Sequence, residues 1–152
     1  MAGPHLKKVL SWSFQEWADL LRAHFFLLFG WATVVRSPRG KLVSFPDALA
    51  TVDPIALTDA QRAVAKRCAL AINRAATYGP LRPRCLARSL GLQRMLERQG
   101  VPGSVVRIGV RLQQKEFLAH AWVELEGQPL GERDPVETFV QLNDAGVQTR
   151  ME

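Results

Sequence analysis

The chain has 152 residues, 47% hydrophobic and 22% charged, with 20 Lys and Arg against 14 Asp and Glu for a formal net charge of +6. That length suits one domain, and the composition excludes a disordered chain, a fibre or a repeat array. Two cysteines are too few for a disulfide scaffold and no metal-type cluster of Cys and His occurs, so no metal or cofactor is expected, and a reducing cytoplasm is the expected compartment.

The first apolar run, HFFLLFGWATVV from His24 to Val35, is shorter than the ~20 residues a spanning helix needs. Glu16, Asp19 and Arg22 break the order of a signal peptide. Leu6 to Val35 therefore reads as one or two amphipathic or buried helices, with membrane contact the less favoured reading. RSPRGKLVSFPDALATVDP follows, a connector by its Pro, Gly and Ser content. Residues 1–57 are thus expected to form a helical arm and linker, and residues 58–152 the core, together one compact domain.

Thr58 and Gln61 make a capping-box pattern, and Ala60, Val64, Cys68, Ala71, Ile72 and Ala75 follow at helical spacing. This predicts a helix from about Asp59 to about Thr77, stopped by Tyr78, Gly79 and Pro80. Pro83 suits the first turn of a second helix, and Gly100, Val101 and Pro102 end it. Cys85 falls in that first turn. On a helical wheel Cys85, Ser89, Leu92 and Leu96 share the packing face, while Arg84, Arg88, Arg94 and Arg98 lie off it.

Beyond Gly103 the apolar period becomes two. Val106, Ile108, Val110 and Leu112 alternate with Arg107, Gly109 and Arg111, QQKE is a turn, and FLAHAWVELE is the returning strand. GQPLGERDP supplies a turn and a short third strand, and Val136 to Leu142 reads as a last strand or short helix. Helices first and strands afterwards make an α+β fold, with N-terminal helices followed by a small antiparallel sheet.

Cys85 stands out chemically. A helix N-terminus and neighbouring cations both stabilise a thiolate, and free N–H groups of the same turn can hold an oxyanion. A thiol nucleophile needs a base. His5 is near the terminus and His24 sits in the apolar arm, which leaves His120, on the strand face of Leu118, Trp122 and Glu124. By itself this histidine reads as a neutral core residue or an exposed one ahead of a catalytic base, since lone histidines usually have no catalytic role. If the second hairpin turns about Gly127, Asp134 stands opposite His120, ~4.5–5.5 Å apart at Cβ, with Glu132 one pair further along. A slip of one residue would break that pairing, and an Asp-Pro turn is the ordinary use of Asp134.

The remaining candidates have plainer readings. Ser89 fits packing or a hydrogen bond to a carbonyl, Trp122 fits core or pocket wall, and Cys68, among alanines, fits an inert buried thiol. Arg82, Arg84 and Arg88 read as a solvated face, or as cations that assist the thiol or meet an acidic peptide. The positive charge lacks the aromatic interleaving or finger spacing of nucleic-acid binders, so no nucleic-acid partner is expected. A basic surface for an acidic partner or an anionic membrane face is the plainer reading.

The string CLARSLGLQRMLERQGVPGSVVRIGVR followed by F-x-AHAWVEL-x-G-x-PL resembles the lasso peptide leader peptidases, the transglutaminase-like B proteins of lasso peptide biosynthesis. The resemblance covers roughly Pro83 to Leu142 and rests on the C-L-x-R-S-L helix and the A-H-A-W-V-E strand in order. It implies a papain-like or transglutaminase-like fold and a cysteine protease triad, with Cys85 as nucleophile, His120 as base and Asp134, ahead of Glu132, as the orienting acid. It also implies a precursor peptide as substrate, often with threonine next to last in the leader, and a separate cyclase that closes the macrolactam. Larger fused members carry a leader-recognition domain. The residues before Thr58 read as arm and linker, so the expectation is a peptidase-only form working with a separate leader-binding protein. The competing expectation is a non-catalytic scaffold of the same fold that assembles a maturation complex.

Overall fold

The computed structural model describes residues 12–37, 55–132 and 136–141, and among these described residues three helices precede the sheet. Helix α1 spans Phe14–Arg36 and α2 spans Asp59–Tyr78, and both begin on capping boxes. In α1 the Glu16 N–H donates to Ser13 Oγ at 3.2 Å while the Ser13 N–H donates back to the Glu16 carboxylate at 2.9 Å. Thr58 and Gln61 repeat the exchange on α2, where their spacing predicted it. Each box satisfies two of the four donors that a helix start leaves open. Helix α3 spans Cys85–Arg98 and has no side-chain cap.

The strands are β1, Val105–Gln113, β2, Glu116–Leu125, β3, Gln128–Pro129, and β4, Val140–Gln141. They form one antiparallel sheet in the order β3-β2-β1-β4. Both tight hairpins turn on two residues at positive φ, Gln114 with Lys115 and Glu126 with Gly127, the backbone that matches the twist of the flanking strands. A 3-10 turn over Val136–Thr138 precedes β4, so the last segment contains both a short helix and a strand. The fold is α+β, with helices first, as the change of period predicted.

Alanine lets the helices approach closely. The buried face of α2 is Ala65, Cys68, Ala69, Ala71, Ile72 and Ala75, and it meets Leu92, Met95 and Leu96 of α3 and Val106, Val123 and Leu125 of the sheet. Each large side chain removed from water here contributes roughly 1.5–3 kcal/mol. Helix α1 crosses α3 at two glycines. A Cβ on Gly30 would lie 2.1 Å from the Ala87 carbonyl oxygen, and one on Gly91 would lie 2.7 Å from that of Phe26. Only hydrogen at both positions permits this contact.

A buried carboxylate ties α1 to α2. Asp19 is 3% exposed and accepts from Arg22 at 3.1 Å, from Arg67 at 3.0 Å and from Gln15 at 3.1 Å. Helix α1 has 23 residues and, by length and composition alone, could cross a membrane, the apolar run from His24 to Val35 being only its second half. Ala23, Leu27 and Gly30 of the same helix are nevertheless buried within the described residues.

Candidate active site

Cys85 is the first residue of α3, half-buried, and follows Arg84 in extended backbone geometry. The first helical bond runs from the Arg88 N–H to the Arg84 carbonyl at 3.0 Å. The N–H groups of Cys85, Leu86 and Ala87 therefore lie before the intrahelical ladder, and no side-chain cap occupies this start. Together they form a field that favours negative charge on an oxyanion placed beside the thiol. α3 has no acidic residue in its first turn to oppose that field.

Two residues one turn further on attach this helix start to the sheet. The Ser89 hydroxyl, buried, donates to the Ala121 carbonyl at 3.0 Å. Arg88 reaches Glu132, with Nη2 at 3.1 Å from Oε1 and 3.4 Å from Oε2. Glu132 Oε2 in turn lies 3.0 Å from His120 Nε2. The chain Arg88, Glu132, His120 thus links the turn after Cys85 to the residue beside Ala121. No hydrogen bond joins Cys85 Sγ to the imidazole among the described residues. Nε2 is engaged by the carboxylate, which leaves Nδ1 as the ring nitrogen open to a thiol proton.

The sheet explains how Glu132 arrives there. β2 and β3 pair Leu125 with Gln128 and Glu124 with Pro129, one residue out of the register that a turn about Gly127 would set, and the ladder ends at Pro129. That offset comes from the two-residue turn at Glu126 and Gly127, and it differs by one from the register on which a pairing of His120 with Asp134 was expected. The chain then bends at Gly131, φ +72°, whose added Cβ would sit 2.9 Å from Ala69 Cβ. Asn73 holds the Gly131 carbonyl at 2.7 Å, and the next residue, Glu132, meets His120. Asp134 and His5 lie outside the described residues.

The other side of the imidazole is aromatic. Trp122, fully buried, stacks with His120 at 6.0 Å and 18°, and Phe139 lies 5.4 Å from it. Gly109, opposite His120 in the β1–β2 register, makes room for this. A Cβ there would come within 2.8 Å of Phe139 Cβ and 2.9 Å of the Trp122 ring. Trp122 Nε1 donates to Glu124 at 3.2 Å, and Glu124 also takes Arg107 at 2.9 Å.

The residues assigned plainer readings can be placed too. Trp122 is core, Ser89 bonds a carbonyl, and Cys68 is buried with its thiol pushed up to about 11 by burial and then by the nearby Asp19 carboxylate. His24 Nδ1 donates to the Leu20 carbonyl at 2.8 Å, a local helix contact. Arg88 departs from a solvated face because Glu132 draws it inward. Three participants were missed in the sequence: the Arg88 contact, Phe139 and Gly109. Of these only Gly109 left a signal, as a glycine inside an otherwise alternating strand.

Among the described residues no group of three His, Cys, Asp or Glu is arranged to hold a metal ion. A sequence model described as the transglutaminase-like superfamily matches residues 27–144 of the chain. No match was found among curated proteins or among solved structures.

Proposed function

The chain belongs to the transglutaminase-like superfamily, and on that footing we propose that it is a cysteine peptidase that removes the leader from a ribosomally made lasso precursor peptide. The observation that carries the reading is the link from Arg88 through Glu132 to His120, anchored one turn beyond a cysteine at an uncapped helix start. Cys85 is the nucleophile, His120 the base, and Glu132 the carboxylate that holds the imidazole. The finer assignment, to lasso precursors, rests on the resemblance of the Cys85 helix and the His120 strand.

Mechanistically, His120 Nδ1 takes the Cys85 proton and the thiolate attacks the carbonyl carbon of the leader's last residue. The oxyanion that forms is held by the first-turn N–H groups of α3. The C–N bond then breaks, the imidazolium gives its proton to the core amine, and the leader remains as a thioester on Cys85. Water, deprotonated by the same imidazole, attacks the thioester and releases the leader as a carboxylic acid with the thiol regenerated. Glu132 favours a proton on Nε2 and stabilises the imidazolium. The freed core amine is the group that a separate cyclase would join to a carboxylate.

Mass spectrometry of precursor incubated with this chain, with and without a separate leader-binding protein, tests the reading. Free leader and free core should appear with the wild type, and neither with Cys85→Ala or His120→Ala of unchanged fold. Normal cleavage by Cys85→Ala would overturn it.

A further inference from the structure

Helix α1 leaves uncovered what a soluble helix normally hides. Phe14, Trp17, Leu21, Leu28, Trp31 and Val35 are between 41% and 90% exposed. These positions follow a strict spacing of three and four, with Phe14, Leu21, Leu28 and Val35 seven residues apart. His24 is the one polar residue on the seam. Spacing of this kind over three heptads is the seam of a helix that meets another helix, since a mean repeat of 3.5 keeps one narrow stripe facing its partner. Phe25 and Phe29, 65% and 43% exposed, widen the apolar face of the same helix on the side of α3.

Beside the seam lies a groove between α1 and α3, with a volume of about 650 Å³. Leu21, Phe25 and Phe29 line it, and Arg22, Arg94 and Arg98 stand at its margin. Arg94 also lies over the Phe29 ring at 6.0 Å. Arg22 and Arg94 each have one carboxylate, from Asp19 and Glu97, and Arg98 has no ion-pair partner among the described residues. The flank is therefore cationic. α1 itself offers no matching acid, because its carboxylates are Glu16, paired with Arg74, and the buried Asp19.

We propose that the outer seam of α1, with its groove against α3, docks an amphipathic helix of a different protein, apolar along its seam and flanked by carboxylates. A second copy of this chain would bring the same seam but the wrong charge to the Arg22, Arg94 and Arg98 flank. The seam from Phe14 to Val35 is about 32 Å long, enough for three heptads of partner helix. The inference does not depend on the peptidase reading, since it uses none of the residues around Cys85.

The test uses the full chain and two fluorescent three-heptad peptides with Leu at the seam positions, one with Glu and the other with Lys at the flanking positions. The acidic peptide should bind saturably, roughly tenfold or more tightly than the basic one, and more weakly as salt rises. Leu21→Glu should weaken binding by about tenfold or more, and Arg98→Glu should reduce the preference for the acidic peptide, both with unchanged circular dichroism. Equal binding of the two peptides, or full binding by Leu21→Glu, overturns the proposal. So does capture by phosphatidylglycerol vesicles without peptide binding, which would assign the seam to lipid. A concentration-dependent dimer that Leu21→Glu abolishes, again without peptide binding, would assign it to a second copy. None of these readouts involves cleavage, so failure here leaves the peptidase reading untouched.

Discussion

Replacing Glu132 by glutamine changes one oxygen into an NH2 group and should disable the site through Arg88. A guanidinium has five donors and no acceptor, so Arg88, now 3.1 Å from Glu132 Oε1, selects the amide oxygen of the new side chain. The amide NH2 then faces His120 Nε2, where Oε2 had been 3.0 Å away. Nε2 must accept, and the ring proton moves to Nδ1, the atom that should receive the thiol proton. The lost charge-assisted hydrogen bond is worth roughly 1.5–3 kcal/mol, and a trapped wrong tautomer raises the cost further. We expect kcat/KM to fall by about a thousandfold. Arg88→Met alone should cost less than about tenfold, since it removes only an outer contact. Combined with Glu132→Gln it should restore about tenfold, because the amide is then free to turn its oxygen to the ring. The assay is precursor cleavage followed by mass spectrometry, with ¹⁵N shifts of His120 reporting the tautomer. Wild-type kcat/KM in Glu132→Gln, or no gain from adding Arg88→Met, would refute the reasoning. Asp134→Asn alongside it shows which carboxylate governs the imidazole.

Further outcomes follow from the packing and charges. Two hydrogen bonds from Arg62 and one from the Leu57 N–H hold the Glu126 carboxyl down to about 2, below the ~4.3 of an unfolded chain. Its contribution to stability is complete above the unfolded value and lost as pH falls through the folded one, so acid unfolding between about pH 5 and 2 should be shallower in Glu126→Gln. Glu16, lowered by its bond to the Ser13 N–H and then by Arg74, acts in the same direction. Iodoacetamide near neutral pH should modify Cys85 in the native chain and spare Cys68, whose burial disfavours the thiolate. Modification of both at equal rates would contradict that placement. Gly30→Ala should lower the unfolding free energy by about 3 kcal/mol or more, read as a depressed melting temperature, because the clash is with backbone at Ala87 and neither helix can yield. Gly109→Ala should displace Phe139 from His120 and lower turnover more than it lowers stability.

Much of this architecture was legible in the chain because it depends on local chemistry. Thr58 with Gln61 marked the start of α2, Pro83 and Gly100 bracketed α3, and alternation from Val106 to Leu112 marked β1. Each signal is a backbone preference that tertiary packing reinforces. What escaped was geometry set at a distance. The β2–β3 register turned on whether two residues or three made the turn, and neither pattern nor composition separates those cases. The inward turn of Arg88 required knowing where Glu132 ends up, which depends on Gly131 packing against Ala69 of another helix. Whether the segment from Leu6 to Val35 held one helix or two was also open, and Phe14–Arg36 form a single one, with Glu16 and Asp19 engaged by partners on α2.

The central claim is that Cys85 is the atom that attacks. Precursor mixed with the chain and quenched in acid within a turnover, then digested and mapped by mass spectrometry, tests it directly. The account predicts a leader-derived thioester on the peptide containing Cys85, absent in Cys85→Ala and reduced in His120→Ala. Cleaved precursor with no adduct at Cys85, or with product still formed by Cys85→Ala, would contradict it.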